Sequence, residues 1–251
     1  MNLDILIPHF ERLASLENCL NSIVAQANSG TWQPRTILVL DDSQTELQPH
    51  IEKICEAVNL DLSENLLPDS LHEVKPIFFP YRGGKPRWAE KFNAGFKALP
   101  VAKEAVAIVS CDFILGPTFF DTATRALKTH ESGVVLALGL NRPVDKALIC
   151  GGPISAHADA RLRKAEHGDN GMLWVLQARD WEPWDEDFDA IGFGHQAPEW
   201  LWMMHKKAPL WRCDRLDETH QEHGYEYMDE SARLEQLKRS EILYRLKTDT
   251  A

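Results

Sequence analysis

Apolar and polar positions along the first half of the chain fall into blocks of two kinds. Short, nearly continuous apolar runs at residues 3–7, 36–40, 74–79, 105–109 and 133–138 have the length and composition of strands buried on both faces. Between them, apolar residues recur three and four apart. Residues 13–26 carry Leu13, Leu16, Leu20, Ile23 and Val24 on one face, and residues 46–58 carry Ile51, Ile54 and Val58. Residues 88–99 and 119–128 also read as helices, the second opening just after Pro117. Strands that alternate with such helices predict βαβ units and a mostly parallel α/β sheet flanked by helices. A polar, leucine-dotted connector is expected up to about Leu71, and residues 82–87 read as a loop.

After Leu140 the alternation fades. A turn at Gly151-Gly152-Pro153, a helix near 156–166 and an acidic, aromatic segment over 180–189 are expected. Then come Gly192-Phe193-Gly194, a helix near 198–207 and a charged helix over 229–247. No repeat or low-complexity tract interrupts the chain.

Composition narrows the classes. A length of 251 residues, 44% of them hydrophobic, fits one domain with a sizeable core. The formal net charge of −11 argues against nonspecific binding to nucleic acid or to an anionic membrane. No apolar run approaches the roughly 18 residues of a transmembrane helix, and the first residues enter a strand rather than a signal peptide. Five scattered cysteines without a CxxC pair read as free thiols of a cytoplasmic protein. Of eight tryptophans, six follow residue 170, enough either for extra core packing or for a groove that takes a ring-shaped partner.

Candidate chemistry gathers at strand ends. The first strand runs into Pro8-His9-Phe10-Glu11, the second into Asp41-Asp42-Ser43 and the fourth into Ser110-Cys111-Asp112. The carboxyl edge of a parallel sheet brings such loops around one crevice. Asp112 reads either as a ligand-edge carboxylate or as a cap for the helix after Pro117. Neither a G-x-G-x-x-G fingerprint nor a Walker lysine is present, so any nucleotide site has another design. Carboxylates can accept from a base N–H or hold ribose hydroxyls, and a hard cation that neutralises a diphosphate prefers oxygen ligands. The basic loop 82–87 and Lys91 read either as phosphate-binding charge or as solvated surface.

Taken together, Asp4-Ile-Leu-Ile-Pro-His-Phe-Glu-Arg12, Cys19-Leu-Asn-Ser-Ile-Val-Ala-Gln26, Ile37-Leu-Val-Leu-Asp-Asp-Ser43, Lys91-Phe-Asn-Ala-Gly-Phe96 and the run from Val106 to Pro117 resemble the GT-A glycosyltransferases of the family 2 type. Gly151-Gly152 and Gly192-Phe-Gly194…Pro198-Glu199-Trp200 are similar to that family's acceptor-side segments, with features of its β-galactosyltransferase-like branch. The resemblance covers most of residues 3–223. It implies a GT-A fold in which residues 1–140 form the nucleotide-sugar-binding half and 141–251 the acceptor-binding half of one continuous domain.

It also implies roles. Pro8, His9 and Glu11 would border the base and ribose, and Asp41 and Asp42 would hold uracil or another base and its ribose. Arg87 and Lys91 would lie near the diphosphate, with Asn93 shaping that wall and Cys111 beside it. Asp112 matches the second Asp of the metal-binding DxD motif, and Ser110 stands where the first belongs. The family's further metal ligand would be His220 or His223, and the cation Mn2+ or Mg2+. Histidines three apart share a helical face and can ligate, or simply face solvent. Glu199, beside Pro198 at a helix start, matches the general base that takes the acceptor's proton; read alone, it is a carboxylate favourable to the helix dipole. Asp185, Glu186 and Asp187 are the alternative base or a solvated loop. Trp181, Trp184, Trp200 and Trp202 stack on a sugar or pack in the core.

The expected function is therefore transfer of a sugar, with inversion and metal assistance, from a nucleotide-diphosphate sugar (UDP-linked by preference) to a hydroxyl of a glycan or small-molecule acceptor. A retaining transferase or nucleotidyltransferase on the same fold, and a non-catalytic nucleotide-binding pseudoenzyme, are the alternatives.

Overall fold

Strand β1 (Asn2–His9) is buried from Leu3 to His9, as an apolar run in the middle of a covered sheet must be. In the computed structural model it lies at the centre of the first half of the sheet, with β2 (Gln33–Asp41) on one side and β4 (Ala105–Val109) on the other, both parallel to it. The structure describes residues 1–27, 32–65, 73–83, 87–101, 103–129, 134–137, 162–164, 173–190, 210–213, 218–220 and 230–248.

The remaining strands are β3 (Glu73–Phe78), β5 (Phe113–Leu115), β6 (Val134–Ala137), β7 (Leu162–Lys164), β8 (Leu173–Gln177), β9 (Leu210–Cys213) and β10 (Glu218–His220). Eight of them form one sheet in the order β3-β2-β1-β4-β8-β6-β9-β7, while β5 and β10 pair antiparallel in a small second sheet. Pairing is parallel across β3, β2, β1 and β4; β8 then enters antiparallel between β4 and β6. Residues on both sides of position 140 thus build a single sheet.

Helices α1 (Leu13–Ala27), α2 (Gln48–Asn65) and α4 (Phe119–Thr129) cover one face. Leu3, Ile5, Ile7, Ile37, Val39, Ala107 and Val109 point towards them, with Leu16, Leu20, Ile51 and Phe120 filling the space between. The intervening residues Leu6, Leu38, Leu40, Val106 and Ile108 face the opposite side, where α3 (Trp88–Ala98) packs with Trp174 and Trp184. This odd–even division is the period-two pleat of each strand. Helix α3 lies so close that a Cβ on Gly95 would meet both Leu40 methyls at 2.9 Å, so any larger residue there would have to push Leu40 aside.

The aromatic residues of the acidic segment pack on that face, while Glu186 and Asp187 stay exposed. Trp184 lies 4.5 Å from Phe92 between ring centres, and Trp181 stacks on Phe96 at 4.2 Å. Asn93 exchanges two hydrogen bonds with the Trp184 backbone, donating at 2.9 Å and accepting at 2.8 Å. The Asp189 carboxylate accepts from the first amides of α3, those of Ala89 (3.1 Å) and Glu90 (2.8 Å). A cap supplied from about a hundred residues away replaces the local one that the helix lacks. The C-terminal helix α5 (Glu230–Thr248) joins the segment through Lys247, which pairs with Asp185 and Asp187.

Two expectations need correction. Helix α2 continues through the expected connector to Asn65, with Leu62 buried. The helix expected near 156–166 is crossed by strand β7 at Leu162–Lys164. Strands β5, β8, β9 and β10 were not foreseen. The helix expected at 198–207 lies outside the described residues. Among the described residues, no helix is long and apolar enough to cross a membrane.

Candidate active site

From β1 the chain builds β2 and β3 to one side and then crosses to β4 on the other. The reversal leaves a crevice at the carboxyl ends of β1 and β4, where open α/β sheets bind ligands. Two loops frame it: His9 to Arg12 after β1, and Ser110 to Asp112 after β4.

The first loop is held to β2 by a buried network. His9 Nδ1 lies 2.7 Å from Asp41 Oδ1, and His9 Nε2 accepts the Arg12 amide at 3.1 Å. Accepting at Nε2 requires its lone pair, so the ring proton sits on Nδ1 and is donated to Asp41. The Ser43 hydroxyl donates to the same carboxylate oxygen and accepts the Glu11 amide at 2.7 Å. Each ring nitrogen and the hydroxyl is thereby used in fixing the turn. Pro8 and His9 pair in register with Leu40 and Asp41, so they shape the crevice from strand positions.

Glu11 takes φ of +55°, the left-handed region that a residue with a Cβ rarely enters. Its Oε1 is buried without a hydrogen-bond partner, as is Oδ2 of Asp41. Backbone strain and unsatisfied buried oxygens at the carboxyl ends of two neighbouring strands are costs that a stable core avoids and ligand sites often retain.

Asp42 is committed elsewhere. Its Oδ1 accepts from Lys91 Nζ at 2.7 Å, and Nζ also reaches the His9 carbonyl at 3.2 Å. Both side chains are almost fully buried. Lys91 lies 5.2 Å from the Trp88 ring centre, so the cation joins the ends of β1 and β2 to α3. Arg87, at the start of α3, pairs with Glu90 and keeps a buried Nη1 without a partner. Asn93 is engaged by the Trp184 backbone and Glu186.

Asp112 stands across the crevice. Its Oδ1 accepts from Arg12 Nη1 at 2.8 Å and its Oδ2 from the Ser110 hydroxyl at 3.3 Å. The Arg12 and Asp112 side chains keep 20% and 18% of their surface, so this pair, unlike Lys91–Asp42, is open to a ligand. Burial, then the Asp112 charge, pushes the thiols of Cys19 and Cys111 up, so both stay protonated and unreactive at neutral pH.

Arg12 had no expected role. Its clue was its place in the sequence, four residues after Pro8 and next to the first residue of α1. Of the expected metal ligands, Asp112 lies just after β4, with Arg12 and Ser110 on its carboxylate. His220 ends β10 with its backbone opposite Phe113, the residue after Asp112. His223 and the expected base Glu199 lie outside the described residues.

The donors suit a hard cation in kind: a carboxylate and a hydroxyl at one strand end, beside a strand that carries a histidine. Among the described residues no three His, Cys, Asp or Glu side chains are placed to hold a metal ion. Arg12 already compensates the carboxylate that such a cation would use.

A mostly parallel sheet with an antiparallel insertion and a topological switch point is the architecture of the GT-A fold found in glycosyltransferases. No protein-family model matches the chain, and no curated protein matches it. Solved structures do. S. aureus TarS 1–349 matches with a TM-score of 0.60 and 14% identity over 88% of this chain and 60% of that one. The Pyrobaculum calidifontis mannosyltransferase PcManGT, in complex with GDP-Man and Mn2+, gives 0.58 and 17% over 83% of this chain and 53% of that one. GalNAc-T7 with UDP, GalNAc and Mn2+ gives 0.61 and 10% over 89% and 44%. The chain therefore spans 60% or less of the length of each of these three.

Proposed function

We propose that the chain is a glycosyltransferase that moves a sugar from a nucleotide-diphosphate donor to the hydroxyl of a glycan or small-molecule acceptor. The observation that carries this reading is the partly exposed Asp112, paired with Arg12 across the switch-point crevice. The GT-A fold supports it, as do the neighbours solved with GDP-Man, UDP-GlcNAc and UDP.

In this reading the half formed by residues 1–140 binds the donor and residues 141–251 bind the acceptor. The base and ribose lie against Pro8, Glu11 and Asp41, whose unsatisfied oxygens are suited to accept from a base N–H and ribose hydroxyls. His9, Asp42, Lys91 and Asn93 act as the frame that positions them, and Arg87 and Cys111 line the diphosphate end. We favour uridine because uracil offers one N–H to one carboxylate. Asp112 and one of His220 or His223 would hold Mn2+ or Mg2+, which when bound supplies Lewis-acid stabilisation of the leaving diphosphate. Glu199 takes the acceptor's proton as its oxygen attacks the anomeric carbon from the face opposite the leaving group, which inverts configuration. Three buried free thiols, Cys19, Cys55 and Cys111, support a cytoplasmic setting.

One observation favours a second reading, a nucleotide-binding protein without turnover: Ser110 replaces an acid, and the Asp112 charge is already met by Arg12. Calorimetry with UDP, with and without Mn2+, tests both. Binding of UDP strengthened by Mn2+ is expected; no binding under either condition overturns both. Hydrolysis or transfer of a UDP-sugar then separates them.

A further inference from the structure

Both oxygens of Asp112 have partners within this chain, and the stronger partner is a full positive charge. The base of Arg12 is fixed: its amide bonds to His9 Nε2, and its carbonyl accepts the Leu16 amide at 3.0 Å. Its guanidinium, by contrast, is partly exposed, as is the carboxylate it meets. The pair is thus the part of this network that solvent, and a ligand, can reach.

We propose that Arg12 holds Asp112 closed to a divalent cation in the nucleotide-free protein, and that a nucleotide diphosphate releases it by drawing the guanidinium onto its own oxygens. This rests on the transferase reading above. A cation reaching Asp112 must displace Arg12 or sit a few ångströms from a like charge, and either lowers its affinity. A planar guanidinium bonds two phosphate oxygens as readily as a carboxylate, so a diphosphate in the crevice is a competing partner of the same geometry. Once Arg12 turns to the diphosphate, Asp112 becomes an uncompensated carboxylate beside a second anion, the arrangement that a divalent cation relieves. Nucleotide and cation then bind with positive coupling, and Arg12 sets its size.

The test is Mn2+ binding to the full chain, followed by electron paramagnetic resonance of the free ion, with and without UDP. Wild type is compared with Arg12→Gln, Arg12→Lys and the double variant Arg12→Gln/Asp112→Asn. Without UDP, Arg12→Gln is expected to bind Mn2+ about fivefold more tightly than wild type, the scale that one partly exposed ion pair controls. Arg12→Lys should fall between them, and the double variant should lose the gain. Saturating UDP should strengthen Mn2+ binding less in Arg12→Gln than in wild type. Arg12→Gln binding Mn2+ no more tightly than wild type overturns the proposal, as does a gain that survives Asp112→Asn. UDP binding measured on the same samples is a separate readout: if UDP binds and Arg12→Gln leaves Mn2+ affinity unchanged, only the role of Arg12 fails. If UDP does not bind, the donor reading itself fails.

Discussion

Asp4 and Asp41 are both fully buried on neighbouring central strands, yet they sit at opposite ends of the sheet and in opposite circumstances. At the amino end, Asp4 meets the Arg35 fork with both oxygens, one of them 3.0 Å from Nε, and that hydrogen bonding raises the Arg35 pKa. Nearby, the Glu104 carboxylate takes the Asn2 amide at 2.8 Å. At the carboxyl end, Asp41 concentrates two donors on one oxygen and leaves the other without a partner, and Glu11 and Arg87 each keep one such buried atom. An unsatisfied buried polar atom costs about 1–3 kcal/mol. The amino edge is resolved for stability, whereas the carboxyl edge carries costs that a bound ligand would remove.

Lys91 offers the largest test of that contrast, because it lies at the ligand edge yet is bonded like the structural one. Removing one partner of a buried pair leaves the other charge uncompensated, at about 3–5 kcal/mol. Lys91→Met should therefore lower stability by that amount in denaturant unfolding, and Asp42→Asn added to it should restore much of the loss. A Lys91→Met protein of wild-type stability that had merely lost UDP affinity would instead make Lys91 a diphosphate ligand.

Asp112→Ala should act in the opposite way. Its carboxylate and the guanidinium of its charged partner Arg12 are both partly exposed, so water can replace the pair and the unfolding midpoint should barely move. Loss of a preorganised electrostatic group at the reacting diphosphate is expected to reduce transfer by about 10²–10³-fold. Radiolabelled sugar transfer measured alongside unfolding separates the two effects, and a large drop in midpoint would place Asp112 among the structural acids.

Asp4→Asn is the control at the far edge. Weakening charge-assisted bonds to Arg35 should cost about 2 kcal/mol while UDP affinity stays at the wild-type value. A change in UDP affinity without a change in stability would erase the distinction between the edges.

How far these features could be read in the sequence follows the same division. Up to residue 129 the four parallel strands and, the last turns of α2 apart, the helices were legible, because parallel strands buried on both faces are continuous apolar runs and the helices between them, α1 above all, repeat their apolar residues at helical spacing. Strand β8 was not. Leu173-Trp-Val-Leu-Gln177 is a strand because β4 and β6 pair with it on either side, partners that no local pattern names. The helix expected near residues 156–166 reflects helix-forming alanines, whereas β7 exists through its pairing with β9. At the site, strand-end acids were visible as sequence, but their division of labour was not. Asp42 and Asp112 look alike in the chain; Lys91 closes the first at a separation of 49 residues, and Arg12 meets the second at 100. The same distance hid the Asp189 cap on α3.

Glu11 gives the smallest expected effect and the sharpest question about the ligand edge. At φ of +55° a glycine would be unstrained, and relief of left-handed strain is worth about 1–2 kcal/mol. Glycine's greater freedom in the unfolded chain takes back about 0.5–1 kcal/mol. Glu11→Gly keeps the amide that bonds to Ser43 and removes the unsatisfied Oε1, so a net gain of roughly 0.5–1 kcal/mol in unfolding free energy is expected. If Glu11 is retained for the donor, the more stable variant should bind UDP more weakly, with both quantities read from one preparation by denaturant unfolding and calorimetry. A variant that gains stability and keeps full UDP affinity would remove Glu11 from the site and leave its strain without a function. A variant that loses stability would show that the Glu11 side chain supports the turn, moving it from the ligand edge's unresolved groups to the company of Asp4 and Arg35.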